Sequence, residues 1–270
     1  MMNNLRHPLE WFRNSIISWR DQHQKHPKPW TLFKQSMKDF RKHKRALVLI
    51  ILTVILPVAL LANLAVDPGS DTTLSAYLTF AQLAMNVALV YAIVQLLNGD
   101  QVGVRESYYK GSAMFIRMIL VALMLTVMLL PLLLGLLIFA FGVVAPGTAL
   151  SPAEKTLMGL LALIVSVPSI VMITRGLWGL YAIFETDLGP WEAIRHSRLL
   201  TKGKVVMTLG RMIALVFLLA LMLVVPIGLL ALLANFTQNV FVLVLIQVVI
   251  ALTVLPLSNL YLYRYYKGLK

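Results

Sequence analysis

Long apolar runs, separated by short polar and basic stretches, dominate this chain from residue 46 onward. A helix that crosses a bilayer needs about 20 apolar residues, because the hydrocarbon core is about 30 Å thick. Six runs reach that length and predict six transmembrane helices, at residues 46–66, 74–97, 113–144, 156–184, 205–234 and 240–263. The predicted fold class is therefore all-α, a polytopic membrane helical bundle.

The first 45 residues are polar and basic, and they predict a cytoplasmic segment in front of a six-helix domain of residues 46–270. Two stripes of apolar residues recur there at helical spacing: Leu5, Leu9, Phe12, Ile16 and Trp19, then Trp30, Phe33, Met37 and Phe40. Both stripes predict amphipathic helices on the inner leaflet. Docking of these helices onto the protein's own cytoplasmic loops is the alternative. Because the chain starts with this polar segment, no signal peptide is predicted.

The composition agrees with a membrane protein and excludes several other classes. Apolar residues make up 59% of the chain and charged residues 13%, whereas soluble domains carry about 25% charged residues. The chain has no cysteine, so it has no disulfides, no thiolate metal sites and no cysteine nucleophile. Its formal charge is +13. On a membrane protein this excess is explained by orientation and anionic lipid, so no nucleic-acid partner is predicted.

The basic residues are distributed unequally between the two sides of the predicted membrane. Outside the spans, 20 Lys and Arg residues share a side with both termini, and only Lys155 lies on the other. The positive-inside rule therefore places both termini in the cytoplasm. All five tryptophans fall in the same half, as expected for an interfacial aromatic belt.

Three similar units are visible along the chain. Residues 29–36 (PWTLFKQS) align with residues 190–197 (PWEAIRHS), and a weaker middle copy begins at Val104. Each copy precedes an apolar span, so we interpret each unit as a basic cytoplasmic helix followed by a transmembrane hairpin.

Prolines within the spans predict helix kinks, because proline removes a backbone hydrogen bond. The prolines concerned are Pro57, Pro131, Pro168, Pro226 and Pro256. Those in the odd spans (Pro57, Pro131 and Pro226) could together open a central cavity, as in transporters. The alternative is that prolines are simply common in transmembrane helices.

Small and uncharged polar residues predict contacts between the spans. Ala84, Ala88 and Ala92 form a small-residue stripe on span two, and Gly176-x-x-Gly179 permits close approach of helices. Several polar side chains are expected to form hydrogen bonds between helices: Asn86, Gln95, Gln247, Ser258 and Asn259.

The second half of the chain carries a recognisable pattern. Arg175 lies late in span four and is followed by Glu185, and the motif A-x-x-x-S-x-x-L-x-x-G then occupies residues 193–203 and leads into span five. The chain closes with a proline, a Leu-Tyr pair and an arginine: Pro256, Leu260, Tyr261 and Arg264.

This pattern resembles a bacterial family of six-helix inner-membrane proteins. The family includes YciC-like proteins and the membrane domain attached to some glycerophosphoryl diester phosphodiesterases. The resemblance covers about the last hundred residues well and the first half weakly. It implies an integral protein of the bacterial inner membrane with a poorly defined role. The chain has no phosphodiesterase catalytic domain, so the resemblance does not imply that activity.

Groups that could perform catalysis are scarce. None of the 11 carboxylates lies in a predicted span, which argues against proton-coupled transport. The pair His23 and His26 could form half a metal site, but a solvated loop is the simpler interpretation. His196 and Ser197 are neighbours in sequence, which does not place them as a base and a nucleophile. We predict no enzymatic activity, no metal and no cofactor.

Basic residues near the cytoplasmic ends of the spans are the candidate ligand-binding groups. Arg175 is interpreted either as a snorkelling side chain bound to lipid phosphate or as part of a pocket shared with Arg211 and Arg264. The full candidate set for lipid headgroups is Arg175, Arg195, Arg198, Lys202, Lys204, Arg211 and Arg264.

These residues give two hypotheses for the function. The first is a non-enzymatic inner-membrane protein that organises, senses or assists anionic phospholipid or a membrane partner, which includes a second copy of the chain. The alternative is a transporter, a channel or a permease-like subunit of a membrane complex.

Overall fold

The computed structural model describes residues 27–64, 72–144, 151–237 and 240–270. Within these ranges the chain is almost entirely helical and has no β-strand. The α-helices are α1 (Pro29–Leu64), α2 (Thr72–Asn98), α3 (Val104–Phe139), α4 (Pro152–Gly176), α5 (Gly179–Thr186), α6 (Pro190–Leu200), α7 (Val205–Thr237) and α8 (Val240–Leu269). A π-helical turn, Ala140–Val144, extends α3. The first apolar stripe and the pair His23 and His26 lie outside the described residues.

Among the described residues, six helical segments are long and apolar enough to cross a membrane, the number that the sequence predicts. They are Pro29–Leu61, Leu74–Asn98, Val104–Val144, Pro152–Thr186, Val205–Leu232 and Phe241–Leu269. The predicted all-α class is confirmed for the described residues. The fold is that of a polytopic helical membrane protein.

Helix α1 begins at Pro29, well before the predicted start of the first span at residue 46. The second apolar stripe therefore lies in a helical segment that meets the span at a kink, because the backbone of His43 is not helical (φ −110°, ψ 15°). Phe33 is buried in the main core, and Met37 and Phe40 pack against that core. Three members of the stripe thus pack against the helical core and not against cytoplasmic loops, whereas Trp30 has 61% of its surface exposed. An amphipathic helix on the inner leaflet stays a prediction.

The predicted fourth span is divided into two helices. Helix α4 ends at Gly176, a turn follows at Leu177 and Trp178, and α5 begins at Gly179. Helix α5 ends at Thr186, and the next residue, Asp187, caps it in a left-handed backbone conformation (φ 51°). The short α6 then starts at Pro190, where the missing N–H of proline costs no helical hydrogen bond. This break brings α5 and α6 side by side at one end of the bundle.

Helix α2 lies at the centre of the bundle, in contact with α1, α3, α5 and α8. Half of its most apolar window is buried, compared with 6% for α3. The outer helices expose many Leu, Ile, Val and Phe side chains. In a bilayer this exposure costs little, because lipid chains are as apolar as these side chains.

Small residues permit the close helix contacts that were predicted. A Cβ atom placed on Gly111 of α3 would lie 3.3 Å from the Cα of Ala88, which belongs to the predicted stripe. A Cβ on Gly179 would lie 3.3 Å from the backbone of Ala193 in α6. The backbones approach so closely because neither glycine has a side chain.

Each of the five span prolines lies inside a helix that continues past it. Kinks at these positions stay a prediction. The threefold repeat also stays a prediction, although Pro29, Val104 and Pro190 each begin a helix. In the first unit the basic helix meets the span at the kink at His43, whereas in the third unit a turn separates α6 from α7.

Candidate functional site

The end of α8 carries a group of buried aromatic residues. We call this group the aromatic cluster; its members are Trp178, Tyr181, Tyr261, Tyr263, Tyr265 and Tyr266. The ring of Trp178 meets that of Tyr265 edge-on at a centroid distance of 5.2 Å. Tyr181 lies 5.7 Å from Tyr263 by the same measure. The cluster therefore packs the break between α4 and α5 against the end of α8.

Polar contacts tie the same end of α8 to three further helices. Arg264 forms an ion pair with Asp39 of α1, and its Nη1 donates a hydrogen bond to Gln35 at 3.3 Å. The Nζ of Lys267 donates to the side-chain oxygen of Asn98 in α2 at 2.7 Å. Arg264, a predicted headgroup ligand, is thus already paired with a carboxylate inside the protein.

Lys270, directly after α8, forms the contact with the third helix, because its Nζ pairs with Glu185 of α5 at 2.8 Å. Its Nζ also lies 5.2 Å from the centre of the Tyr266 ring. Glu185 is the carboxylate that follows Arg175 in the family-like pattern, so the structure assigns this carboxylate an intramolecular partner.

Arg211 of α7 is buried, with 6% of its surface exposed. Its guanidinium carbon lies 4.6 Å from the centre of the Tyr265 ring, which is a cation–π contact. Its backbone carbonyl accepts a hydrogen bond from the hydroxyl of Tyr261 at 3.3 Å. No carboxylate of the described residues pairs with Arg211, and its Nη1 makes no hydrogen bond there.

Arg175 lies in the last turn of α4 and is partly buried. Its backbone carbonyl accepts a hydrogen bond from the Oγ of Ser197 in α6, whereas its side-chain Nε is buried without a hydrogen-bond partner. The pocket predicted for Arg175, Arg211 and Arg264 is not visible as a shared contact. No hydrogen bond in the described part of the chain joins any two of the three.

Helix α6 has one face held against the bundle. Ala193, Ile194 and Ser197 are buried on that face. Because Ser197 donates to the Arg175 carbonyl and Ala193 touches Gly179, the helix is fixed in rotation about its own axis. The opposite face therefore points away from the protein.

Basic residues line one side of α6 and the turn after it, beside the exposed Glu192, and the Nη2 of Arg198 donates to the Sδ of Met128 in α3 at 3.8 Å. We call Arg195, Arg198, Lys202 and Lys204 the α6 basic face; Arg195 and Lys202 are exposed, and Arg198 and Lys204 are partly buried. Trp191 lies beside them with 64% of its surface exposed. Trp191, Ile194, Arg195 and Arg198 line a shallow pocket of about 320 Å³. None of the ion pairs among the described residues includes a member of this face.

The polar residues within the spans behave in two ways. Asn259 accepts a hydrogen bond from the hydroxyl of Tyr181 at 3.0 Å, which confirms the predicted bonding between helices. The prediction is wrong for Asn86 and Ser258, whose side chains donate to carbonyls of their own helices. A short polar side chain reaches the carbonyl one turn earlier without help from a neighbouring helix.

A cleft of about 510 Å³ lies among α1, α2 and α8, and none of the five span prolines lines it. Among the described residues, no three His, Asp or Glu side chains are grouped as metal ligands would be. The sequence reasoning did not predict either the aromatic cluster or this cleft. The dense tyrosines of residues 261–266 were the one signal for the cluster.

The fold and composition define a class, a helical bundle with six segments able to cross a membrane. No family model, no curated protein and no solved structure matches the chain. The resemblance to YciC-like proteins therefore stays a prediction.

Proposed function

We propose that this protein is a non-enzymatic protein of the bacterial inner membrane that binds anionic phospholipid headgroups through the α6 basic face. By this binding it would organise, sense or assist anionic lipid or a membrane partner. One observation carries the proposal. The basic residues of this face have no carboxylate partner among the described residues, although other basic residues at this end, such as Arg264 and Lys270, do.

The geometry of α6 supports a role at the membrane surface. The contacts of Ala193 and Ser197 hold the helix, so Arg195 and Trp191 project outward together. Tryptophan and arginine side chains favour the headgroup region, because each has an apolar body and a polar end. The guanidinium group also binds phosphate oxygens in a bidentate manner, which a lysine cannot reproduce.

The distribution of charge supports the cytoplasmic side for this face. The turn at residues 201–204 lies in the segment between the fourth and fifth predicted spans. The positive-inside rule predicts that this segment lies on the same side of the membrane as the two termini. The cytoplasmic leaflet carries the anionic lipids, and each basic residue near it contributes about 1 kcal/mol of binding. Membership of the YciC-like family is part of this proposal.

The double variant Arg195→Gln/Arg198→Gln is expected to bind anionic phospholipid about 30-fold more weakly at low ionic strength. Two lost charges at about 1 kcal/mol each give this factor. Native mass spectrometry of the delipidated full-length protein, titrated with phosphatidylglycerol or phosphatidylcholine, measures the affinity. Binding of phosphatidylcholine is expected to change little.

The matched control removes two charges elsewhere. Arg105 and Lys44 are exposed and take part in no ion pair among the described residues. Arg105→Gln/Lys44→Gln is expected to weaken phosphatidylglycerol binding less than threefold. An equal loss of affinity in both double variants would contradict a binding site on α6. It would mean that phosphatidylglycerol binding depends only on the overall charge of the protein.

A further inference from the structure

The cleft among α1, α2 and α8 combines an apolar floor with polar edges. Val58, Ala59 and Met85 form a buried floor, and Gln82 and Gln247 are exposed at its rim. Asn86 is the third amide in the lining. The other lining residues are aliphatic, and none of the lining residues is charged.

The cleft lies near the middle of the α2 span. The α2 span is Leu74–Asn98, so Asn86 is 12 residues from either end (86 − 74 and 98 − 86). At a rise of about 1.5 Å per residue, that distance is about 18 Å. A charged headgroup would therefore have to leave the interface to reach this amide.

The amides of α2 keep hydrogen-bonding capacity toward the cleft. The Nδ2 of Asn86 donates to the backbone carbonyl of Gln82 at 3.0 Å, and its Oδ1 accepts no hydrogen bond from the described residues. The side-chain amide of Gln82 makes none there either, and it lies one helical turn from Asn86. Lipid hydrocarbon chains cannot form hydrogen bonds with these amides. Binding of a ligand with a polar atom at this depth is therefore favoured, because that atom can form a hydrogen bond to them.

We propose that this cleft binds one uncharged lipid whose hydroxyl or ester oxygens reach below the headgroup level, a lipid of the diacylglycerol class. The absence of charge in the lining selects against phospholipids, since a phosphate at this depth would have no counter-ion. The amides supply both a donor and an acceptor for hydroxyl and ester oxygens. A volume of about 510 Å³ falls in the range of about 300–1,000 Å³ typical of small-ligand sites. This site is separate from the α6 basic face.

Photo-crosslinking of the full-length protein in phosphatidylcholine nanodiscs tests the proposal. Two probes carry the same diazirine acyl chain, one as diacylglycerol and one as phosphatidylglycerol. The diacylglycerol probe is expected to label peptides that contain Met85 or Ala251 at least fivefold more than the phosphatidylglycerol probe. Unlabelled diacylglycerol is expected to compete.

Variants of the rim identify the hydrogen bonds. Gln82→Leu/Asn86→Leu is expected to reduce this labelling about 5- to 10-fold, the factor for two hydrogen bonds of membrane strength. Gln82 is exposed and Asn86 is partly buried, and leucine is a good helix former, so this variant is expected to fold. Gln95→Leu removes an amide from the same helix outside the cleft and is expected to leave the labelling unchanged.

Three results would overturn the proposal. Equal labelling by the two probes would mean that bulk lipid fills the cleft. Labelling that survives Gln82→Leu/Asn86→Leu would remove the role of the amides. Crosslinks from these peptides to a second copy of the chain would assign the cleft to an interface. Labelling is expected to persist in Arg195→Gln/Arg198→Gln, so failure at α6 and failure at the cleft are distinguishable.

Discussion

Replacing Trp178 with alanine is expected to destabilise the protein by about 3–5 kcal/mol, the usual cost of truncating a fully buried tryptophan. Trp178 has no exposed surface and packs edge-on against Tyr265 at the break between α4 and α5. Its removal leaves a cavity between this break and the end of α8, where the other tyrosines also meet. Reversible unfolding in mixed detergent micelles, followed by circular dichroism, measures the free energy of unfolding.

Trp191→Ala provides the matched control for this variant. Trp191 lies on the outward face of α6 with 64% of its surface exposed, so its truncation is expected to change the free energy of unfolding by less than about 0.5 kcal/mol. If both tryptophan variants have the same free energy of unfolding as the parent protein, the aromatic cluster does not hold α5 and α8 together.

The second large effect is expected at Gly135, where α3 crosses α4. A Cβ atom at this position would lie 2.1 Å from the Oγ of Ser166 and 2.7 Å from the carbonyl oxygen of Ala162. The serine side chain can rotate away, but the carbonyl belongs to the α4 backbone. Gly135→Ala must therefore push the two helices apart, and we expect a loss of about 1–3 kcal/mol in the free energy of unfolding.

The same substitution at Gly228 is expected to have the opposite sign. Gly228 lies inside α7, and a Cβ there meets no atom within 4 Å. Alanine favours the helix by up to about 1 kcal/mol over glycine, so Gly228→Ala is expected to be neutral or stabilising. Paired measurements of the two variants in one detergent separate helix packing from helix propensity. A stabilising Gly135→Ala would rule out close contact of α3 with α4.

The number of spans could be predicted because the apolar length needed to cross a bilayer is fixed by its thickness. The start of α1 could not be predicted by the same reasoning. Residues 30–46 contain no proline or glycine, and lysine and arginine are good helix formers, so helical structure extends through the basic segment with one kink at His43. A search for apolar runs detects only the part of this helix that is apolar.

Contacts between distant parts of the chain could not be predicted from the sequence either. The sequence shows that Arg264 is basic and near a span end, but its partner Asp39 lies 225 residues earlier. The same applies to the cleft, which Gln82 and Asn86 of α2 line together with Gln247 of α8. A single sequence shows which side chains are polar, whereas their neighbours depend on how the spans pack.

The basic residues of α6 could be predicted as candidates, because they lie in a segment between two spans that is rich in lysine and arginine, as expected on the cytoplasmic side. What the structure adds is that neither Arg195 nor Arg198 pairs with a carboxylate of the described residues, which distinguishes them from Arg264. Arg211 also differs from the expectation, because it contacts the ring of Tyr265 and is almost fully buried.

The central claim is that the α6 basic face lies at the cytoplasmic leaflet, and cysteine labelling tests it directly. The chain has no cysteine, so each introduced thiol reports a single position. Lys202 and Ala153 are both exposed, at opposite ends of the region from α4 to α6. In intact spheroplasts, a membrane-impermeant maleimide is predicted to label Ala153→Cys and to label Lys202→Cys only after permeabilisation. Labelling of Lys202→Cys in intact spheroplasts would contradict the account.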